Sequence, residues 1–272
     1  MDPRLKKQLI IGAVLIIIIL AIAYSIYEIY DVEPTCNDNI QNGLEEGVDC
    51  GVLACGIVCR PAIIPLQIKD QKLISLGQGD YDFVAQVYNP NTLYGSPKVS
   101  YNVVLKSLNG NELLRRPSTF YILPGQTKFV AYLALSGIAE EVRGEMDIVS
   151  VDWQEFNELT PSIIIRGEEL KPPDASNPNG SSLSGIVVNN SDYGFDRVDV
   201  VGVVFDDTQQ IVGINTTIIN TLVSRSERQF KMIWPFSFVE GVRTAVEAYT
   251  NIFENSNYLR NHGTQEKFQH YY

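Results

Sequence analysis

The residues whose types and spacing could do chemistry lie in one short stretch. All four cysteines of the 272-residue chain, Cys36, Cys50, Cys55 and Cys59, fall within it, separated by thirteen, four and three residues. An even number so tightly clustered fits two disulfides, and the three pairings stay open. In the chain-entropy account, closing a loop of about fifteen residues is worth roughly 3 kcal/mol, enough to hold a small module that lacks a core. A four-cysteine zinc site is the rival, but its paired C-x2-C knuckles are missing. Asp38, Asn42, Glu46 and Asp49 take positions 1, 5, 9 and 12 of a notional calcium loop, with Gly43 at position 6. Ile40 stands where position 3 needs an oxygen, so the other reading is that Asn, Asp and Gly simply make turns.

Elsewhere the usual constellations are missing. The two histidines, His262 and His270, lie in the polar C-terminal tail, and no phosphate-binding glycine loop or H-E-x-x-H motif occurs. Adjacent acids such as Asp206-Asp207 read as solvated turns. No catalytic residue and no cofactor is expected. Trp234, Phe236 and Phe238 share one face of a strand. They could form a platform for a sugar ring, or fill a core.

The elements around this stretch begin with the N-terminus, where nineteen residues from Leu9 to Tyr27 pass without a charge. As a helix they would span the roughly 30 Å hydrocarbon layer. Arg4, Lys6 and Lys7 precede the run, and Glu28, Asp31 and Glu33 follow it. The basic side stays cytoplasmic, so residues 1–8 are expected inside and the remainder outside, in a single-pass arrangement with the bilayer as partner. Ala21-Ile22-Ala23 leaves a cleaved signal peptide as the alternative. Both readings export the rest. Beyond residue 30 the chain carries 18 basic and 30 acidic residues, net −12. Such a field repels phosphate backbones, so no nucleic-acid partner is expected.

After the Cys-rich segment (31–60) the pattern turns to β. The segment 99–105 alternates with period two, and Asn109-Gly110-Asn111 then signals a hairpin. Phe120–Leu123 leads into the turn Pro124-Gly125, and strands at 128–135, 146–153 and 162–166 complete a first domain, 62–168. A Pro-, Asn- and Ser-rich linker follows at 169–182, then a second domain at 183–260 and a tail at 261–272. The two halves repeat about one hundred residues apart: Asn89 matches Asn189, and Val99 matches Val198. The fold class expected is all-β, with two tandem immunoglobulin-like antiparallel sandwiches after a single transmembrane helix and a short disulfide-rich segment.

Two resemblances rest on these residues. Cys36-Asn-Asp-Asn-Ile-Gln-Asn-Gly-Leu-Glu-Glu-Gly-Val-Asp-Cys50-Gly51 resembles a Cys-rich motif of bacterial exported proteins, from which Asn39, Glu46 and Val52 depart. In the second half, Val187–Asn190, Val198–Asp206 and Ile211–Gly213 resemble the FxLYD-type immunoglobulin-like sandwich. Its L-Y-D core falls on Val204, Phe205 and Asp206, and Gly202 stands at the leading Phe position. The whole arrangement is similar to envelope proteins of candidate-phylum bacteria. That resemblance implies a sandwich fold, an exported setting and no catalysis; together with the N-terminal helix, the function expected is a membrane-anchored module that binds a protein partner of the cell envelope. The alternative is a carbohydrate-binding adhesin that uses its aromatics.

Overall fold

The computed structural model describes residues 3–30, 34–138, 141–156, 160–174, 178, 180–239, 241–256 and 258. The tail that holds His262 and His270 lies outside them. The chain divides into two units, Met1–Ala62 and Ile63–Tyr272.

The first unit begins with α1 (Pro3–Tyr30). Its stretch Lys6–Tyr27 is long and apolar enough to cross a membrane, as an anchor or as an export signal. The helix has no polar stripe, and its large aliphatic side chains are exposed around its circumference, as in a helix meant for an apolar solvent. The Cys-rich segment is closed by Cys36–Cys55 and Cys50–Cys59, which settles the pairing. It holds one short helical turn, α2 (Val52–Cys55).

The second unit is all-β. Its strands are β1 (Gln67–Gly77), β2 (Asp80–Tyr88), β3 (Tyr94–Ser107), β4 (Glu112–Ile122), β5 (Thr127–Leu135), β6 (Val142–Val151), β7 (Gln154–Glu155), β8 (Ile163–Lys171), β9 (Ser182–Asn189), β10 (Phe195–Phe205), β11 (Ile211–Leu222), β12 (Glu227–Ile233) and β13 (Arg243–Tyr249). Sheet β1-β2-β5 faces β4-β3-β6 in the first sandwich, and β8-β9-β12 faces β11-β10-β13 in the second, all pairings antiparallel. The expected repeat is therefore present in six strands of each half, β1–β6 and β8–β13, with β7 pairing β3 outside it. It differs from the expectation in one place. The strand beginning at Ile163, expected to close the first domain, pairs with β9, with Ile165 opposite Val187 and Leu170 opposite Leu183. Glu169, Leu170 and Lys171 at one end of the expected linker, and Ser182 at the other, thus belong to strands, and the second sandwich begins by residue 163.

Asn89 and Asn189 show why the repeat is preserved in shape. Both are fully buried at the end of the equivalent strands β2 and β9. The amide of Asn89 donates to the carbonyls of Tyr94 (2.7 Å) and Leu123 (2.9 Å), and its Oδ1 accepts from the Asn91 N–H (3.0 Å). The amide of Asn189 donates to the carbonyls of Tyr193 (2.6 Å) and Val223 (3.1 Å), and its Oδ1 accepts from Ser191 N–H (2.9 Å). Each side chain pins two crossing loops whose backbone groups have no ladder partner, which buried polar groups require.

Each sandwich has its own core. Phe83, Val99, Tyr101, Val103 and Leu105 lead the first; Leu183, Val198, Val200, Val204 and Trp234 lead the second. A third cluster joins the two. Ile74, Val84 and Phe129 of the first sandwich pack on Val201, Val203, Ile211 and Ile214 of the second. In β10, Val200 and Val204 therefore face the core while Val201 and Val203 face the other sandwich. A sheet buried on both faces reads as a continuous apolar run rather than an alternation, and Val198-Asp-Val-Val-Gly-Val-Val-Phe205 is such a run. Gly202 sits where a Cβ would lie 2.7 Å from Met232 Sδ and 3.0 Å from Leu183 Cδ2. Those two side chains fill the space that a phenylalanine there would need. Asp206 ends β10 by accepting from the N–H groups of Thr208 (2.9 Å) and Gln210 (2.8 Å). With the Thr208 hydroxyl, these bonds hold its carboxyl below the usual range and close the β10–β11 turn.

A fourth cluster fastens the chain after β13. Ile252, Phe253 and Tyr258 pack with Leu123, Phe156 and Tyr193. A Cβ on Gly95 would come within 2.8 Å of the Phe253 ring and 2.9 Å of the Ile122 carbonyl, so only glycine admits this approach.

Candidate functional site

Where the two sandwiches meet, one end of their junction opens into a cleft of about 490 Å³. The edge strand β5 brings Lys128 to it, the end of β4 brings Tyr121, and β13 with the segment after it brings Tyr249 and Asn251. Arg197 and Asp199 come from β10.

Lys128 is 5% exposed. Its Nζ donates to the Tyr121 carbonyl at 3.0 Å, lies 3.7 Å from the centroid of the Tyr121 ring and 4.8 Å from that of Tyr249. Ring faces and a carbonyl are what a buried ammonium can use when no carboxylate touches it. Burial lowers its pKa to about 8, with Asp199 and Glu247 pulling the other way. Glu247 faces it from β13. Its Oε2 accepts from the Phe129 N–H of β5 at 3.2 Å and from the Tyr249 hydroxyl. Desolvation raises its pKa, against the hydrogen bonds of Tyr249 and Phe129. Burial likewise pushes both Tyr121 and Tyr249 up. Thus a carboxylate of the second sandwich takes a backbone hydrogen of the first, while an amine of the first lies over a ring of the second.

Two buried polar atoms at this cleft lack a hydrogen-bond partner among the described residues: Tyr121 Oη and Asn251 Oδ1. The Asn251 amide donates to the Pro97 carbonyl at 3.4 Å, and the Thr250 hydroxyl to the Arg197 carbonyl at 2.8 Å. Arg197 pairs with Asp199 at 2.8 Å on the rim. The arrangement can receive a group that donates to Asn251 and exchanges a hydrogen bond with Tyr121. Among the described residues it holds no nucleophile paired with a base and orienting acid.

The lysine gives a pH test with a definite sign. A lysine whose folded pKa lies below its unfolded 10.5 is destabilising while charged, because the unfolded chain binds more protons. Stability is therefore lower below about pH 8 and rises between pH 8 and 10.5. At 1.36 kcal/mol per pKa unit the rise is on the order of 3 kcal/mol. Lys128→Met should flatten this part of the profile, read as the wild-type-minus-variant difference in melting temperature across pH. A wild-type curve parallel to the variant would refute it.

The residues singled out from sequence fall elsewhere. Trp234 is 1% exposed, and its Nε1 donates to the Ile214 carbonyl at 3.1 Å. Phe238 meets it edge-on at 5.3 Å, and Phe236 meets Phe238 at 5.2 Å. This is an aromatic stack at the edge of the second core, so of the two readings of Trp234, Phe236 and Phe238 the structure has core packing rather than an exposed platform.

Asp38, Asn42 and Asp49 do come together, but around the chain's own donors. Asp49 accepts from the N–H groups of Asp38 (3.0 Å) and Asn39 (2.9 Å). Asp38 accepts from the Thr35 hydroxyl, Ile40 N–H (2.9 Å) and the Asn42 amide (3.0 Å), and these bonds, led by that of Thr35, hold its carboxyl low. Glu46 is exposed and outside this network. Glu45 takes the inner place instead, accepting from the N–H groups of Asn42 and Asp49. Its carboxylate also groups with the sulfurs of Cys36 and Cys55, which are already bonded to each other and are not thiolates.

No protein-family model matches the chain, and no curated protein matches it significantly. Among solved structures, a red sea bream transglutaminase is similar over 73% of this chain and 30% of that one, at 12% identity and a TM-score of 0.23. The chain therefore spans less than a third of that enzyme's length, and a likeness this distant bears on no activity.

Proposed function

We propose that this chain is a non-catalytic, membrane-tethered binding module of the cell envelope, with the sandwich pair outside the cytoplasm and a protein partner engaged at the cleft between the sandwiches. The basic residues Arg4, Lys6 and Lys7 ahead of the apolar run of α1 favour the orientation, and two disulfides favour an oxidising compartment. One observation carries the binding role: a recess whose buried Tyr121 hydroxyl and Asn251 carbonyl oxygen have no partner among the described residues. Unpaired buried polar atoms are costly, and a partner group that pairs them gains accordingly. The acidic character of the exported part favours a partner with basic groups at its contact.

Photo-crosslinking in intact cells tests this. A photoreactive residue at Lys98, an exposed residue on the cleft rim, should give one discrete protein adduct, and the same residue at exposed Leu113, at the far end of β4 and outside the cleft, should not. No adduct at Lys98, or the same adducts from both positions, would end the proposal. The carbohydrate alternative loses its support with Trp234, which no sugar can reach without unfolding the core edge.

A further inference from the structure

The disulfide-closed unit is built inside out. Among its described residues from 34 to 62, the buried ones are Glu45 and Gly51. Glu45, 7% exposed, takes the place a core residue would hold, its carboxylate accepting backbone hydrogens. The aliphatic side chains point the other way. Leu44, Val48, Val52, Ile57 and Val58 are each more than half exposed, and Leu53 is 90% exposed. Two disulfides and a carboxylate hub hold the fold, so these side chains are not needed inside. Aliphatics concentrated on so small a surface mark a contact with something apolar.

Chain length says what is within reach. Five residues, 31–35, separate the end of α1 at Tyr30 from Cys36. At about 3.4 Å per step this holds the unit within roughly 20 Å of the helix end. The headgroup and interfacial layer is only about 5–8 Å deep on each side of the hydrocarbon. A partner of the right polarity is therefore always present beside the unit. From 34 to 62 the one basic residue is Arg60, against the acids Asp38, Glu45, Glu46 and Asp49, a net charge of −3. Attraction to anionic lipid is thus absent, and any affinity must come from apolar area.

We propose that the disulfide-closed unit lies on the outer interface of the same bilayer that α1 crosses, with Leu53 and its neighbouring aliphatics among the lipid headgroups and upper acyl chains. The unit is then a collar that seats the chain on the membrane, not a free neck. This rests on α1 being retained as a span.

The test uses the full chain reconstituted in phosphatidylcholine vesicles. Leu53→Trp and, as a second site, Val58→Trp are compared with Leu113→Trp on the first sandwich. Both collar variants should shift their added emission to shorter wavelength and be quenched by lipids brominated in the upper acyl chain, without change in high salt. Leu113→Trp should show neither. Resistance of the cysteines to alkylation without reductant confirms that the unit is closed in each variant. Water-like emission from both collar positions, in a chain that still floats with the vesicles, overturns the proposal. So does a shift without quenching by brominated lipid, which would mean a second copy or another protein surface covers these residues. Loss of the chain itself from the vesicles in alkaline carbonate would instead remove the span on which the proposal rests.

Discussion

Asn189→Ala is expected to lower the stability of the sandwich pair by about 3–4 kcal/mol, among the larger losses a single substitution produces. The reason is the number of groups left behind. The truncated side chain abandons the carbonyls of Tyr193 and Val223 and the N–H of Ser191, all near a residue with no exposure. Each orphaned buried group costs about 1–3 kcal/mol, and water cannot replace the amide without opening the loops. Asn189→Asp sharpens the test. The carboxylate keeps the shape and still accepts from Ser191, but sets an acceptor against two carbonyls. It should lose at least as much at neutral pH and recover part of the loss in acid, where a protonated carboxyl can donate again. Urea unfolding followed by tryptophan emission measures both. A loss below about 1 kcal/mol for Asn189→Ala would show that the amide is not the pin described.

The second large effect concerns the junction. Val203 is fully buried and faces Ile74, Val84 and Phe129 of the other sandwich, not its own core. Val203→Asp places a carboxyl in an apolar seam with no donor. Whether it stays charged or takes up a proton, the cost should be about 4 kcal/mol. Both sandwiches keep their own cores, so the damage should fall on their union. Unfolding should split into two transitions where the wild type shows one. Val149→Asp, on β6 with 63% exposure, should change stability by no more than about 0.5 kcal/mol. A single cooperative transition in Val203→Asp, at wild-type midpoint, would show that the seam contributes nothing.

Much of the architecture was legible because its signals are local. The apolar run of α1, the Asn109-Gly110 hairpin and the pairing of Asn89 with Asn189 needed only neighbours in sequence. The place of β8 was not legible: composition breaks at Leu170, but the hydrogen bonds of Ile163–Lys171 are set by β9, across that break. The junction left a trace that the sequence alone does not explain. The apolar positions on both faces of β10 look like a well-buried strand, and only the first sandwich, packed against its outer face, supplies the reason. Lys128 carried no signal at all. A lysine at the start of a strand normally marks its exposed end, and here the rings of Tyr121 on β4 and Tyr249 on β13 cover it. Trp234, Phe236 and Phe238 lie beyond the end of β12, where the alternation of a strand no longer says which way each ring points.

The position of β8 bears on how the two sandwiches can move. Because the chain enters the second sandwich before the proline-rich segment, that segment connects two strands paired in one sheet, β8 and β9, rather than one sandwich to the other. With no pivot there, and with the seam and the clasp around Phe253 both closed, bending between repeats is suppressed. A load applied to one sandwich then passes to the other as through a welded joint, and a protease that nicks the proline-rich loop should leave the halves held together.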